Sequence, residues 1–190
     1  MRLFEGVDGV RRVFLRGSLA NGTCDQYSDI DVGVDVSGRD NAEFTQTIIS
    51  VMRDNLDLHF HDWATSLLPE QYVIAFYLKG APLFWYVDVF CAATPHVPSL
   101  TREHVANDPI AHLIKLWAIH AKYVLRGKVH ENLPILAVRT LGPDYPRDTP
   151  PVRLLKLTLD AITERANGQF PELIEKCWEV CDGRLAGLMP

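Results

Sequence analysis

Hydrophobic and polar positions along this chain follow one rhythm in the first half and another in the second. The early apolar runs are short. Val13 to Arg16 predicts a first strand, Gly17 to Ser28 a polar loop, and Asp29 to Val36 a second strand, because Ile30-Asp31-Val32-Gly33-Val34-Asp35-Val36 alternates and is rich in β-branched residues. Phe44, Ile48, Ile49 and Met52 recur at helical spacing, so 44–52 predicts a helix, with turn and capping chemistry ahead of it at Gly38, Asp40 and Asn41. Leu56 to His61 alternates strictly. That puts Leu56, Leu58 and Phe60 on one face of a strand and Asp57, His59 and His61 on the other. Pro69 is expected to open a helix that runs through Lys79 and closes at Gly80, and Leu83 to Ala92 reads as a further strand.

Ala93 to Leu100, with Pro95 and Pro98, reads as a linker. Beyond it Ile110, Leu113, Ile114, Trp117, Ala121 and Val124 recur at steps of three and four, which is the period of a helix. Thr101, Glu103 and His104 supply its expected start and Gly127 its stop. Shorter helices are expected over 131–141, 152–165 and 171–188, with Gly142, Pro143, Pro146, Pro150 and Pro151 interrupting them. The fold class expected is α/β in the broad sense (α+β): a mixed-sheet domain over 1–94 joined to a C-terminal helical domain over 100–190.

Composition narrows the class without naming a chemistry. Of 190 residues, 47% are hydrophobic and 23% charged, which suits a folded soluble protein. A net charge of -5 argues against a protein whose main task is to coat nucleic acid, since that depends on massed Lys and Arg. Met1 to Arg12 carries Arg2, Glu5, Asp8, Arg11 and Arg12, so a signal peptide is not expected, and no apolar run is long enough for a membrane span. A cytoplasmic location is the expectation. The four cysteines form no CxxC pair; Cys177 and Cys181 would share a helix face and read as packing residues.

The chemistry concentrates in GSLANGTCDQYSDID, Gly17 to Asp31. On a strand Asp29 and Asp31 project to one side with Cα atoms roughly 6.5 Å apart. Paired carboxylates repel unless a cation lies between them. Gly17 lets a backbone approach a phosphate closely, and Ser18 adds a hydroxyl. If the strands lie together, Asp57 joins the two aspartates. Such an oxygen-rich cluster suits Mg²⁺ or Mn²⁺ and a triphosphate, and two ions about 3.5–4 Å apart could serve an in-line displacement. Alone, Gly17-Ser18 would read as a turn and Asp57 as a solvated strand face; it is the combination that points to a site.

GSLANG followed by SDIDVGV, then LDLHFHD, then PEQYVIAFYLKGAPLFW, resembles the nucleotidyltransferase fold of the DNA polymerase beta superfamily, in particular its small bacterial branch. That branch includes minimal nucleotidyltransferases and enzymes that adenylylate aminoglycosides and lincosamides. Gly17, Ser18, Gly22, Ser28, Asp29 and Asp31 match its motif, and the resemblance covers about Val13 to Phe90. It implies that Asp29 and Asp31 ligate two Mg²⁺ ions and that Gly17 and Ser18, with Ser28, hold the nucleotide, ATP first among the candidates. Asp57 is the expected third catalytic and metal-binding carboxylate, with Asp88 in Tyr86-Val87-Asp88-Val89-Phe90 as its rival. Asn21 stands where the branch often has Arg, and the helix that usually precedes the first strand is very short.

The implied reaction moves a nucleoside monophosphate onto a hydroxyl of a small molecule, an antibiotic being the obvious guess, in the cleft between the two domains. Nucleic acid and membrane are not expected as partners, and a homodimer is allowed. Two other readings stand beside it: an antitoxin-like enzyme that adenylylates a partner protein, and a catalytically silent nucleotide-binding or scaffold protein. His59 and His61 tempt one to propose zinc, but zinc usually wants three or four N or S ligands. His112 and His120 read as packing or surface residues, Trp117, Tyr123 and Trp178 as packing residues, Lys115, Lys122 and Arg126 as a solvated face from which one could meet a nucleotide phosphate if that helix crosses the cleft, and Glu131 as a surface acid or a general base.

Overall fold

The computed structural model describes residues 2–38, 41–64, 71–92 and 104–188. The chain divides into two compact units, Met1–Asn107 and Asp108–Pro190. The first is built on a mixed five-stranded sheet. Its strands are β1 (Arg12–Leu15), β2 (Ile30–Asp35), β3 (Leu58–Trp63), β4 (Gln71–Leu78) and β5 (Val87–Ala92), in spatial order β1-β2-β5-β4-β3. Only β2 and β5 run parallel; the other neighbours are antiparallel.

One face of this sheet is apolar and covered by α2 (Asn41–Asn55). Phe44, Ile48, Ile49 and Met52 of α2 are all buried, and they pack with Val32, Val34, Ile74, Phe76, Val89 and Cys91 of the strands. Burying each such side chain contributes about 1.5–3 kcal/mol, so this layer sets which face of every strand turns inward. The alternate residues of the strands must face the other way. Asp31 of β2 and Asp88 of β5 are among them.

The predicted helix over 69–79 is instead strand β4. Its segment QYVIAFYL is aromatic and β-branched, and it lies inside the sheet with Ile74, Ala75, Phe76 and Tyr77 all buried. A strand covered on both faces loses the polar alternation that would identify it, and a continuous apolar run then reads like a buried helix. Pro69, Ala93–Leu100, Thr101, Glu103 and Asp40 lie outside the described residues. The loop predicted over 17–28 opens with a short helix, α1 (Gly17–Asn21).

A second correction concerns β3. Leu58 pairs with Leu78, but Phe60 pairs with Tyr77, so His59 is an extra residue on β3, a bulge. Beyond it the faces exchange. His61 comes within 3.3 Å of Arg53 on α2, Trp63 joins the α2 core, and Phe60 stacks instead on Tyr77. The outer edge of β3 is closed at Trp63, whose N–H donates to Asn107 Oδ1 at 2.8 Å and whose carbonyl accepts from Asn107 Nδ2 at 3.0 Å.

The second unit is helical: α3 (Pro109–Leu125), α4 (Leu133–Leu141), α5 (Pro151–Ala166) and α6 (Pro171–Glu179), followed by π and 3-10 turns to Leu188. Asp108 starts α3 by accepting from the Ile110 and Ala111 amides, each at 2.9 Å, ahead of Pro109 in the first turn. Trp117 is fully buried and donates its indole N–H to the Leu155 carbonyl at 2.8 Å, joining α3 to α5. Arg165 of α5 caps the end of α4 through the Arg139 and Thr140 carbonyls at 2.7 and 2.6 Å. Lys115 and Lys122, expected on a solvated face, are buried on α3. Cys177 and Cys181 are buried packing residues, and burial raises both thiols above their ordinary range.

His120 is the buried base of this unit. Its Nδ1 has no hydrogen-bond partner among the described residues, and its ring meets His130 edge-on at 5.3 Å. Burial, with a smaller contribution from His130, pushes its pKa down to about 4 from 6.5. A base that resists protonation only when folded costs stability in acid: its contribution is intact above 6.5 and falls as the pH drops toward 4. Urea unfolding at stepped pH is expected to show that decline. In a His120→Asn variant, neutral throughout, that part of the slope should vanish.

Candidate active site

The site grows from the pairing of β2 with β5. Their register sets Asp31 directly beside Asp88, so the two carboxylates leave the same face of adjacent strands, roughly 4.8 Å apart at the backbone. Asp29 lies two residues before Asp31, just ahead of the first paired residue of β2. The Ile30 amide donates to the Tyr86 carbonyl at 3.0 Å and extends the alignment by one step. Tyr86 is buried, and its phenol is hydrogen-bonded to Asp29. Burial first, then Tyr77 and the charges of Asp88 and Asp29, hold this phenol well above its ordinary pKa, so it remains a proton donor.

Gly17 closes the site from the β1 side. The Arg16 amide donates to the Asp31 carbonyl at 2.9 Å, and the chain then turns at Gly17, φ +59°, into α1. A Cβ on Gly17 would overlap Asp31 Oδ2 and lie 2.9 Å from Asp31 Cγ. Only a residue without a side chain allows the backbone so near that carboxylate. Ser18 follows in the first turn of α1, where backbone amides lack an intrahelical acceptor. Ser28 is buried and closes the loop: its hydroxyl accepts from the Asp25 amide at 3.0 Å and donates to Asp25 Oδ1 at 3.1 Å. A pocket of about 180 Å³ opens beside Asp29, walled by Leu19, Cys24, Asp25, Ser28, Ile30 and the exposed Trp85.

Asp57 is not brought to this group. It immediately precedes β3, the far edge of the sheet, and β5 and β4 stand between β3 and β2, a displacement of roughly 14 Å. Its carboxylate forms a salt bridge with Lys79 at 2.7 Å and lines a separate pocket of about 280 Å³ with His59 and His61. Burial lowers the pKa of His61, and Arg53 lowers it further. Glu131 is exposed in the turn before α4.

Three residues on the site's side of the sheet escaped the sequence reading. Tyr86 could have been found, since it precedes Asp88 by two and strand alternation puts both on one face. Arg16, whose guanidinium lies 3.8 Å over the Phe90 ring, reads in sequence as an ordinary strand end. Asp62, fully buried, falls in the row Asp62, Ala75, Asp88, Asp31 across four strands; the bulge at His59 put it there, and nothing local announces a bulge.

The donors fit a hard divalent cation in kind, being carboxylate oxygens. Among the described residues no three His, Cys, Asp or Glu side chains form a group that could hold a metal ion by themselves. An ion bound here would take further oxygens from water and from a phosphate, which is the habit of Mg²⁺. Asp35, further along the same face of β2, is committed elsewhere. Its Oδ1 accepts from the Ser37 hydroxyl and amide, and those bonds, with Arg12 and Arg11, lower its pKa against a small desolvation cost.

Residues 2–82 match the family model of the nucleotidyltransferase domain. Over the matched residues the first unit is thus similar to a nucleotidyltransferase domain, and its mixed five-stranded sheet with helices is consistent with that fold. Gly17, Ser18, Ser28, Asp29, Asp31 and Asp57 fall inside the matched stretch, while Asp88 lies just past it. No curated protein matches the chain. Among solved structures, the polymerase core of TRAMP, an RNA surveillance complex, is similar at 14% identity and a TM-score of 0.34, covering 84% of this chain and 52% of that one. The GLD-2/RNP-8 complex is similar at 17% identity and a TM-score of 0.36, covering 84% of this chain and 73% of that one. This chain therefore spans about half the length of the first.

Two glycines separate backbone strain from collision. Gly17 and Gly22 both have positive φ, +59° and +69°, but a Cβ meets Asp31 at the first and nothing within 4 Å at the second. Gly22→Ala is expected to cost about 1 kcal/mol from strain alone, and Gly17→Ala clearly more, up to about 3 kcal/mol. Parallel chemical denaturation of the two variants measures the difference. Equal losses would mean that the turn does not press on Asp31.

Proposed function

We propose that this chain transfers a nucleoside monophosphate, AMP from ATP foremost, to a hydroxyl of a small molecule, with Mg²⁺ present and pyrophosphate leaving. The observation that carries the reading is the register pair Asp31 and Asp88, with the Gly17 backbone pressed against Asp31. In this reading Asp29, Asp31 and Asp88 are the metal-binding carboxylates, and Asp88 takes the role that Asp57 was expected to fill. Divalent ions held there would neutralise charge on the reacting phosphate and help to ionise the acceptor hydroxyl.

The rest of the chemistry belongs to the chain. Gly17 and Ser18 present backbone N–H groups and a hydroxyl to the terminal phosphates, with the Gly allowing close approach. The turn into α1 thus fixes the triphosphate tail at one end of the carboxylate row. Ser28 acts indirectly, by fixing the loop that precedes Asp29. The pocket beside Asp29 offers Leu19, Ile30 and Trp85 to an apolar or flat portion of a bound molecule. An aminoglycoside or lincosamide, rich in hydroxyls, is the acceptor class to test first, following the small bacterial branch that the motif resembles.

Incubation with labelled ATP, GTP, CTP or UTP, Mg²⁺ and a panel of such acceptors and candidate proteins, read by mass shift, tests the proposal. An adduct of one nucleoside monophosphate is expected. Asp31→Asn and Asp88→Asn should each lower its rate by about a thousandfold, the equivalent of several kcal/mol of lost charge stabilisation. Asp57→Asn should change it less than about threefold, because an exposed ion pair contributes little. Full activity in Asp88→Asn together with loss in Asp57→Asn would reverse the assignment of the third carboxylate.

A further inference from the structure

Tyr86 is joined to the site by more constraints than the fold alone requires. Its carbonyl accepts the Ile30 amide at 3.0 Å, and its phenol is hydrogen-bonded to Asp29, the residue before Ile30. Its ring stacks on Tyr77 at 4.8 Å with 16° between the planes, and Tyr77 stacks on Phe60 at 4.7 Å and 24°. The three rings thus form a ladder from β3 across β4 to the residue preceding β5. It lies on the face of the sheet that carries Asp31 and Asp88, and Phe60 reaches that face because of the bulge at His59.

The three carboxylates are not equally well held. Asp31 and Asp88 sit within paired strands, so their backbones are fixed by the ladder of β2 and β5. Asp29 precedes the first residue of β2, at the end of the polar loop. A carboxylate there needs a side-chain anchor if it is to keep one direction. A tyrosine locked by stacking is a stiff anchor, since it has two side-chain torsions and packing restrains both. Its hydroxyl occupies only part of the carboxylate's accepting capacity.

We propose that Tyr86 is a positioning residue for Asp29: its phenol, held rigid by the Phe60-Tyr77-Tyr86 stack, presets the direction in which Asp29 meets a divalent cation. The inference rests on the metal-dependent reading above. The competing account is that a buried tyrosine hydroxyl merely needs an acceptor, and Asp29 supplies one for the sake of the fold. The two differ in what they predict for metal binding. Groups that orient a metal ligand typically contribute about 10–100-fold to metal affinity or activity.

The test uses the full chain and Tyr86→Phe, which keeps the stacked ring and removes only the hydroxyl. Mn²⁺ binding with ATP present is followed by electron paramagnetic resonance, and the Mg²⁺ concentration for half-maximal turnover is measured beside the KM for ATP at saturating Mg²⁺. Tyr86→Phe should weaken Mn²⁺ binding and raise the half-maximal Mg²⁺ by about tenfold or more, leaving the KM for ATP within about twofold. In an Asp29→Asn background the same change should add nothing. Metal affinity in Tyr86→Phe equal to or tighter than wild type overturns the proposal, as does an equal loss in the Asp29→Asn background. Thermal unfolding without metal guards against a folding artefact: a lower midpoint with unchanged metal affinity supports the competing account. Asp31→Asn serves as the check on the underlying reading. If it binds Mn²⁺ and ATP like wild type, the metal site itself is refuted; if it loses them while Tyr86→Phe does not, only the role of Tyr86 falls.

Discussion

The first unit depends on the parallel pairing of β2 with β5. These strands are distant in sequence, and their side-by-side placement is enforced by the apolar layer beneath them. Val32, Val34, Val89 and Cys91 all turn toward Phe44, Ile48 and Met52 of α2. Once those faces are committed, the other residues of the strands have no choice, and the register brings Asp31 against Asp88. Two like charges side by side are unfavourable in a bare fold. The hydrophobic layer therefore pays for the placement of the acids, and a cation bound between them would recover part of that cost.

Around this pair the surrounding elements act as constraints on direction. The turn at Gly17 lies so close to Asp31 that a Cβ could be added only if the Asp31 side chain moved. Arg16 rests on Phe90, keeping a positive group on the same face, and Tyr86 holds Asp29 at the start of β2. Their effect is to restrict where carboxylate oxygens can point.

The bulge at His59 shows how one residue can redistribute chemistry. Without it, Phe60 and Asp62 would both continue the apolar face of Leu58. With it, Phe60 joins the aromatic stack, Asp62 enters the row of Asp88 and Asp31, and His61 turns to Arg53. Asp57 precedes the bulge and is left at the sheet's edge with Lys79, both side chains substantially exposed. An ion pair of that kind contributes about 0–1 kcal/mol and serves the surface.

The sequence alone determined the strands β1, β2 and β5, helix α2, and the helical character of the second unit. These follow from local periodicity, which acts over a few residues and needs no knowledge of neighbours. The Gly17-Ser18 turn was legible for the same reason, because its residue types answer to backbone geometry. The strand neighbour of Asp31 was not. Strand alternation says which residues share a face, but it cannot say that β5 rather than β3 lies beside β2, nor that a bulge reverses the faces midway. Strand β4 was misread because burial on both sides erases the polar alternation that marks a strand. Strand order, register and the bulge are decided by the packing of segments far apart in the chain. That packing is why Asp88, and not Asp57, stands next to Asp31.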